Sequence, residues 1–234
     1  MRLLRVLTVA GAAALAPATL LAQLPVSTGI ATTGTGTNVR DTRWQIGYAL
    51  NTNSNPSVNP TAPTSFVNAF RIANPPGAWQ SPVNFAWVGA EGSTGSVPGG
   101  VGDGARRFTY HLRTDFTLAV GELLTLRMQC SFDNFWLGLF INGTQFGTRV
   151  CGQDNSFSFP PEFTVGPSNF VTGANRLEFR WQGDGVTDAI AVRVNSAVVT
   201  PDPTVVPEPS TYALMATGLA GLAVLRRRRA ALQG

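Results

Sequence analysis

Apolar and polar residues alternate one for one through much of the second half of the chain. At 107–116, Phe108, Tyr110 and Leu112 fall on one side, and Arg107, Thr109, His111 and Arg113 on the other. At 122–132, Leu124, Leu126, Met128, Cys130 and Phe132 alternate with Thr125, Arg127, Gln129 and Ser131. At 176–182, Leu177, Phe179 and Trp181 alternate with Glu178 and Arg180, and 188–198 is β-branched and half apolar. A period of two is the mark of strands with one buried face, which is how antiparallel sheets present themselves. Asn142-Gly143 sits between the apolar 135–141 and the strand-like 144–150, where it predicts a tight hairpin turn. Segments 51–63, with its prolines and asparagines, and 89–104, rich in glycine, read as loops inside the domain. No helical stripe occurs outside the chain ends, and no period of solenoid length recurs. The pattern predicts an all-β body, a two-sheet antiparallel β-sandwich of jelly-roll type.

The two ends break this pattern. Residues 1–22 carry Arg2 and Arg5, then an apolar run closing in small residues at Ala16, Ala18 and Ala22. This is the layout of a secretory signal peptide, with cleavage expected after Ala22. A buried N-terminal helix is the other reading, but Gly11 and Pro17 interrupt it and it has no polar face. At the other end, Val206, Pro207, Glu208 and Pro209 precede an apolar run at 212–225, closed by Arg226, Arg227, Arg228 and Arg229. Fourteen helical residues rise only about 21 Å, short of a hydrocarbon core of about 30 Å. Such a short transmembrane segment halts through snorkelling and local thinning, with its arginines held on the cytoplasmic side. The chain thus divides into a signal peptide (1–22), a secreted domain (23–204) and a C-terminal segment (205–234).

The order of Val-Pro-Glu-Pro, spacer, glycine-containing apolar run and basic stop resembles a PEP-CTERM sorting signal. That resemblance implies an exosortase and the secretion machinery as partners during export. It also implies a Gram-negative host that builds exopolysaccharide or biofilm matrix, and a cell-surface or matrix destination reached through transient inner-membrane anchoring.

Charge placement changes the meaning of the composition. The 17 basic residues are all arginine, against 13 acids, and the pI near 9.8 invites a nucleic-acid partner. Six of those arginines belong to the two ends. Between them remain eleven arginines and all thirteen acids, a net charge of −2, so no nucleic-acid partner is expected. The absence of lysine excludes Schiff-base and P-loop lysine chemistry, and a single histidine excludes multi-histidine metal sites.

Within the body, Asp133-Asn134, Phe140-Ile141-Asn142-Gly143, Phe163-Thr164-Val165 and the 170–179 segment with Gly173, Asn175, Leu177 and Phe179 resemble galactose-binding-like domains. Asp41 and Trp44 fit an opening strand of that pattern. The chain departs from it at Trp181-Gln182-Gly183-Asp184, a loop that often borders the ligand, so no sugar site is carried over.

Cys130 and Cys151 are the only cysteines, and in an exported chain they are expected to pair. The bond would close a loop of about 22 residues around the hairpin, contributing about 3 kcal/mol in the chain-entropy account. A catalytic cysteine is the rival reading, but no oriented partner is visible for it. His111 lies on the polar side of its strand and reads as a surface residue. No nucleophile elbow accompanies it. Asp115, Asp133, Asp154, Glu162 and Asp184 could supply a glycosidase pair, although nothing in the sequence singles out two of them. No catalytic residue, metal site or cofactor is expected. Structural Ca²⁺ is the one cofactor with oxygen ligands on offer, at Asp184, Asp188 and Asp154-Asn155, without a full ligand run.

Of the five tryptophans, Trp136 and Trp181 follow the apolar parity of the core. Trp79 sits in a proline-glycine loop and is the candidate glycan contact, either as an exposed stacking platform or, in the plainer reading, packed over a sandwich end. The expectation is an exported matrix protein that binds exopolysaccharide or serves structurally, without catalysis. A secreted carbohydrate-active hydrolase and a purely structural, self-associating matrix subunit are the alternatives.

Overall fold

The computed structural model describes residues 24–52, 59–80, 82–154, 157–205 and 209–231. The predicted signal peptide at 1–22 lies outside the described residues, as do Val206, Pro207 and Glu208 of the sorting motif. Eleven strands follow in order: β1 Thr32–Thr33, β2 Arg40–Leu50, β3 Val67–Arg71, β4 Val88–Gly89, β5 Phe108–Leu118, β6 Glu122–Phe132, β7 Phe135–Ile141, β8 Thr144–Phe146, β9 Phe163–Val165, β10 Gly173–Gly183 and β11 Ala189–Pro201. One helix, α1 Pro209–Ala231, ends the described chain.

The strands hydrogen-bond in the order β8-β7-β10-β5-β2-β3-β4-β11-β6-β9, with β1 on the side of β2. Every pairing is antiparallel. The short β3 and β4 carry the sheet from one layer to the other, so that β8-β7-β10-β5-β2 faces β11-β6-β9. This is the predicted antiparallel sandwich.

Its core forms from the apolar parity of the long strands. Leu124, Leu126, Met128 and Phe132 of β6 are buried, and so are Tyr110 and Leu112 of β5 and Leu177, Phe179 and Trp181 of β10. β2, which the sequence showed only at Asp41 and Trp44, contributes Trp44 and Ile46 to the same cluster. The rings of Phe132 and Trp136 lie 5.1 Å apart across the β6-β7 corner. At the open edges, Phe146 of β8 meets Phe163 of β9 at 6.3 Å. The disulfide Cys130–Cys151 joins the same two layers, with Cα atoms 4.7 Å apart and both residues fully buried. It ties the segment after β8 to the C-terminal part of β6. That segment was expected to continue as strand to residue 150, but β8 ends at Phe146.

The hairpin turn forms as predicted. Asn142 and Gly143 both adopt positive φ, 52° and 83°, which Asn tolerates and Gly accepts freely. The C-terminal helix differs from its expected bounds: it runs through the four arginines to Ala231 instead of stopping at the apolar run. Leu214, Met215, Leu219, Leu222, Val224 and Leu225 are all exposed, and none packs into the sandwich core. Among the described residues, no helix is long and apolar enough to cross a membrane.

Candidate functional site

The outward face of the first layer is an ordered polar surface, set by strand register. One row across it runs Gln45, Arg113, Glu178 and Phe140, on β2, β5, β10 and β7. The next row runs Gly47, His111, Arg180 and Gly138. Side chains in these rows stand side by side because directly opposed residues project from the same face of a sheet. Arg113 donates from Nε and Nη2 to Gln45 Oε1 at 3.2 and 3.1 Å and stacks on Phe66, with its Cζ 3.5 Å from the ring centre. Arg180 pairs with Glu178 and lies 3.7 Å over Phe140. One row further on, Arg176 donates to Asp115 from Nε at 2.6 Å and from Nη2 at 3.1 Å.

His111 is not the surface residue its parity suggested. It is 7% exposed, with Nδ1 3.1 Å from Glu178 Oε1. Its neighbour in the row explains the burial. Gly47 has no side chain, and the 63–66 loop lies directly over it: a Cβ there would fall 2.6 Å from the Ser65 carbonyl oxygen. Burial pushes the Glu178 carboxyl upward, but the hydrogen bond and charge of His111, joined by those of Arg180, outweigh it and hold it at about 2.

A second polar group lies inside one end of the sandwich. Asp188 Oδ2 accepts from Tyr110 Oη at 2.7 Å and from the Gly185 N–H at 2.5 Å, and Asp188 Oδ1 accepts from Asn134 Nδ2 at 3.0 Å. Gly183 makes the space for this carboxylate, since a Cβ there would fall 1.8 Å from Oδ1. Asp133 Oδ2 accepts from Trp79 Nε1 at 3.2 Å, while its buried Oδ1 has no hydrogen-bond partner among the described residues. Burial first, and then the charge of Asp188, raise the Asp133 carboxyl to about 7. Burial likewise raises Asp188 to about 6 against its hydrogen bonds.

The candidate glycan contact Trp79 is accordingly corrected. It is 4% exposed, its ring centre is 4.4 Å from that of Trp87, and its indole N–H is spent on Asp133. It is no exposed platform: it packs as part of a second small core with Ile72, Trp87, Ala189 and Ala191. A loop of prolines and glycine says nothing about which way its tryptophan turns. The buried carboxylate that anchors the ring comes from 54 residues away.

The five carboxylates considered for hydrolysis are dispersed. Asp115 is held by Arg176, Asp154 by Arg149, and Glu162 by Arg127. Asp133 and Asp184 share the buried end, 3% and 6% exposed. Of the oxygen ligands considered for calcium, Asn155 lies outside the described residues. Asp184 Oδ1 and Oδ2 accept the N–H groups of Val186 and Gly104, both Asp188 oxygens are also taken, and no group of three or more ligating side chains gathers among the described residues. The side chains that organise the polar face, above all Arg113, Glu178 and Arg180, were visible in the sequence only as the wet side of strands. Their alternation was the available signal, but it carries no register.

A family model described as the PEP-CTERM protein-sorting motif matches residues 205–229. Such a motif implies exosortase-dependent export to the cell surface in Gram-negative bacteria. No curated protein sequence matches the chain. Two solved structures are similar to parts of the chain. One is a beta-glucosidase from Kluyveromyces marxianus in complex with glucose, with TM-score 0.36 and 12% identity over 66% of this chain and 16% of that one. The other is a family 35 carbohydrate binding module from an environmental isolate, with TM-score 0.27 and 14% identity over 42% of this chain and 72% of that one. The chain spans less than a fifth of the beta-glucosidase, and at these TM-scores neither likeness bears on its function.

Proposed function

We propose that the chain is exported, processed by an exosortase at its C-terminal segment, and left in the extracellular matrix, where the sandwich associates with exopolysaccharide without catalysis. The match of residues 205–229 to the sorting motif carries this reading. The form of α1 supports it: among the described residues its large apolar side chains are exposed and lie outside the sandwich core, and it closes in Arg226 to Arg229, which suits a segment made to be handled by a membrane enzyme and then discarded. In this account the C-terminal segment is held at the inner membrane only transiently, until it is processed. A body of net charge −2, stapled by a buried disulfide, suits a folded domain that persists outside the cell. The polar face, with guanidinium groups laid over Phe66 and Phe140, supplies directional donors beside apolar rings, the combination that hydroxylated ligands require.

The test is intact-mass spectrometry of the chain recovered from the matrix of producing cells. The expected product has lost both residues 1–22 and the arginine stop. A matrix form that retains Arg226 to Arg229 overturns the processing.

A further inference from the structure

β2 and β5 pair from Leu50↔Phe108 as far as Gln45↔Arg113, and there the pairing stops. Beyond that point β2 turns toward β1 and β3, to which Arg40 and Asp41 are matched. The two strands therefore fork, and the fork holds a cleft of about 160 Å³ lined by Thr42, Arg43, Gln45, Arg113, Thr114 and Asp115. Its lining is polar throughout.

The acids around the fork are each engaged. Asp115 is engaged by Arg176, and Glu178 in the neighbouring row by His111 and Arg180. Asp41, buried beneath, accepts the N–H groups of Gly29, Arg43 and Trp44. Arg43 and Arg113 have no ion-pair partner among the described residues: Arg43 donates through Nη2 to the Leu24 carbonyl at 2.6 Å, and Arg113 donates to the neutral Gln45. Both guanidinium groups are held by neutral acceptors, and Arg113 is further fixed by its stack on Phe66. Two positioned, half-buried guanidinium groups in one polar cleft are an arrangement for an oxyanion, which arginine binds through paired N–H donors.

We infer that the fork of β2 and β5 is a binding subsite for the anionic substituent, a carboxylate or ester sulfate, of an acidic glycan, with Arg43 and Arg113 as its ligands. The inference rests on the matrix role proposed above and specifies the class of polysaccharide that role would involve. Within the matrix, uronate-bearing or sulfated chains would be retained and neutral ones would not.

The experiment uses the full chain in affinity electrophoresis against polygalacturonate, dextran sulfate and neutral dextran, with inorganic sulfate as competitor. The unaltered chain is expected to be retarded by the two acidic polymers, less so as salt rises, and not by dextran. R43Q/R113Q is expected to lose about tenfold or more of that affinity, the size of one charge-assisted contact pair. R43Q alone keeps the Arg113–Phe66 stack and should show a smaller loss, so a folding defect in the double variant does not decide the matter. R71Q, at an exposed arginine of β3, should bind as the unaltered chain does. Equal retardation by dextran, unchanged binding in R43Q and R43Q/R113Q, or displacement by sulfate at concentrations that leave no added affinity for the polymer would each overturn the subsite. Recovery of the unaltered chain with the matrix of producing cells is scored separately. If it is absent there, the matrix role fails. If it is present but the arginine variants bind polygalacturonate normally, only the subsite fails.

Discussion

Two buried carboxylates in this sandwich end on opposite sides of the ordinary carboxylate range. Glu178, on the outer face of the first layer, and Asp133, inside one end, are 7% and 3% exposed. Burial pushes both upward, yet Glu178 is held at about 2 and Asp133 stands at about 7. The difference lies in the partners. Glu178 has the Arg180 guanidinium and the His111 imidazole beside it, so its ionised form meets a cation and a hydrogen-bond donor. Asp133 has one indole N–H, an oxygen with no hydrogen-bond partner among the described residues, and another carboxylate, Asp188, for a neighbour. Depth alone does not decide the charge of a buried acid. What surrounds it does.

The sharpest way to break the Asp133 side of this comparison is to remove its donor. Trp79→Ala deletes a ring packed against Trp87 and Phe157 and leaves the carboxylate without its indole N–H. A cost of about 5 kcal/mol is expected, the upper range for a buried Trp→Ala change, read as a lower midpoint in chemical denaturation. A cost near that of an ordinary surface substitution would show that this end of the sandwich is not packed as described.

The next effect is one of pH. Between about 4 and 7 the folded chain keeps a proton on Asp133 that the unfolded chain has released. Raising the pH through that window therefore removes stability, by about 4 kcal/mol in all at 1.36 kcal/mol for each unit of separation. Asp133→Asn cannot ionise and retains an acceptor for Trp79. Its melting temperature should fall less from pH 4 to pH 8 than that of the unaltered chain, with a residual slope from Asp188, itself raised to about 6. Parallel curves for the two proteins would remove Asp133 from the account.

The sequence displayed one half of this chemistry and concealed the other. Alternation in 107–116 and 176–182 identified β5 and β10 and the inward residues Tyr110, Leu112, Phe179 and Trp181, because a period of two is a local property. Asn142-Gly143 and the paired cysteines were legible for the same reason: turn geometry and export each act on a few residues. The match of His111 to Glu178 was not legible, since it depends on the register of strands 67 residues apart and on a loop that closes over Gly47. β2 was seen only at its start, because Gly47 and the exposed Tyr48 interrupt its pattern where the loop and a cleft meet it. Trp79 and Asp133 were separately visible as a loop aromatic and a strand-opening acid. Only the fold brings them together.

The smallest effect tests the partnered side. Glu178 is depressed, so its contribution is present above the ordinary glutamate range and lost as pH falls from about 4.5 to about 2. Glu178→Gln removes the charge that faces His111 and Arg180 while keeping an acceptor oxygen. Near neutral pH it should cost about 2 kcal/mol, the scale of a hydrogen bond to a charged group. As pH falls toward 2 the unaltered chain loses the same interaction, so the two stabilities should converge there, where the Asp133 and Asp188 carboxyls are neutral in folded and unfolded chains alike. The two variants thus act on opposite limbs of one stability profile, Glu178→Gln on the acid limb and Asp133→Asn on the alkaline limb. A Glu178→Gln protein that kept a constant deficit down to pH 2 would mean that its loss is one of packing, and that Arg180 and His111 do not set the charge of Glu178.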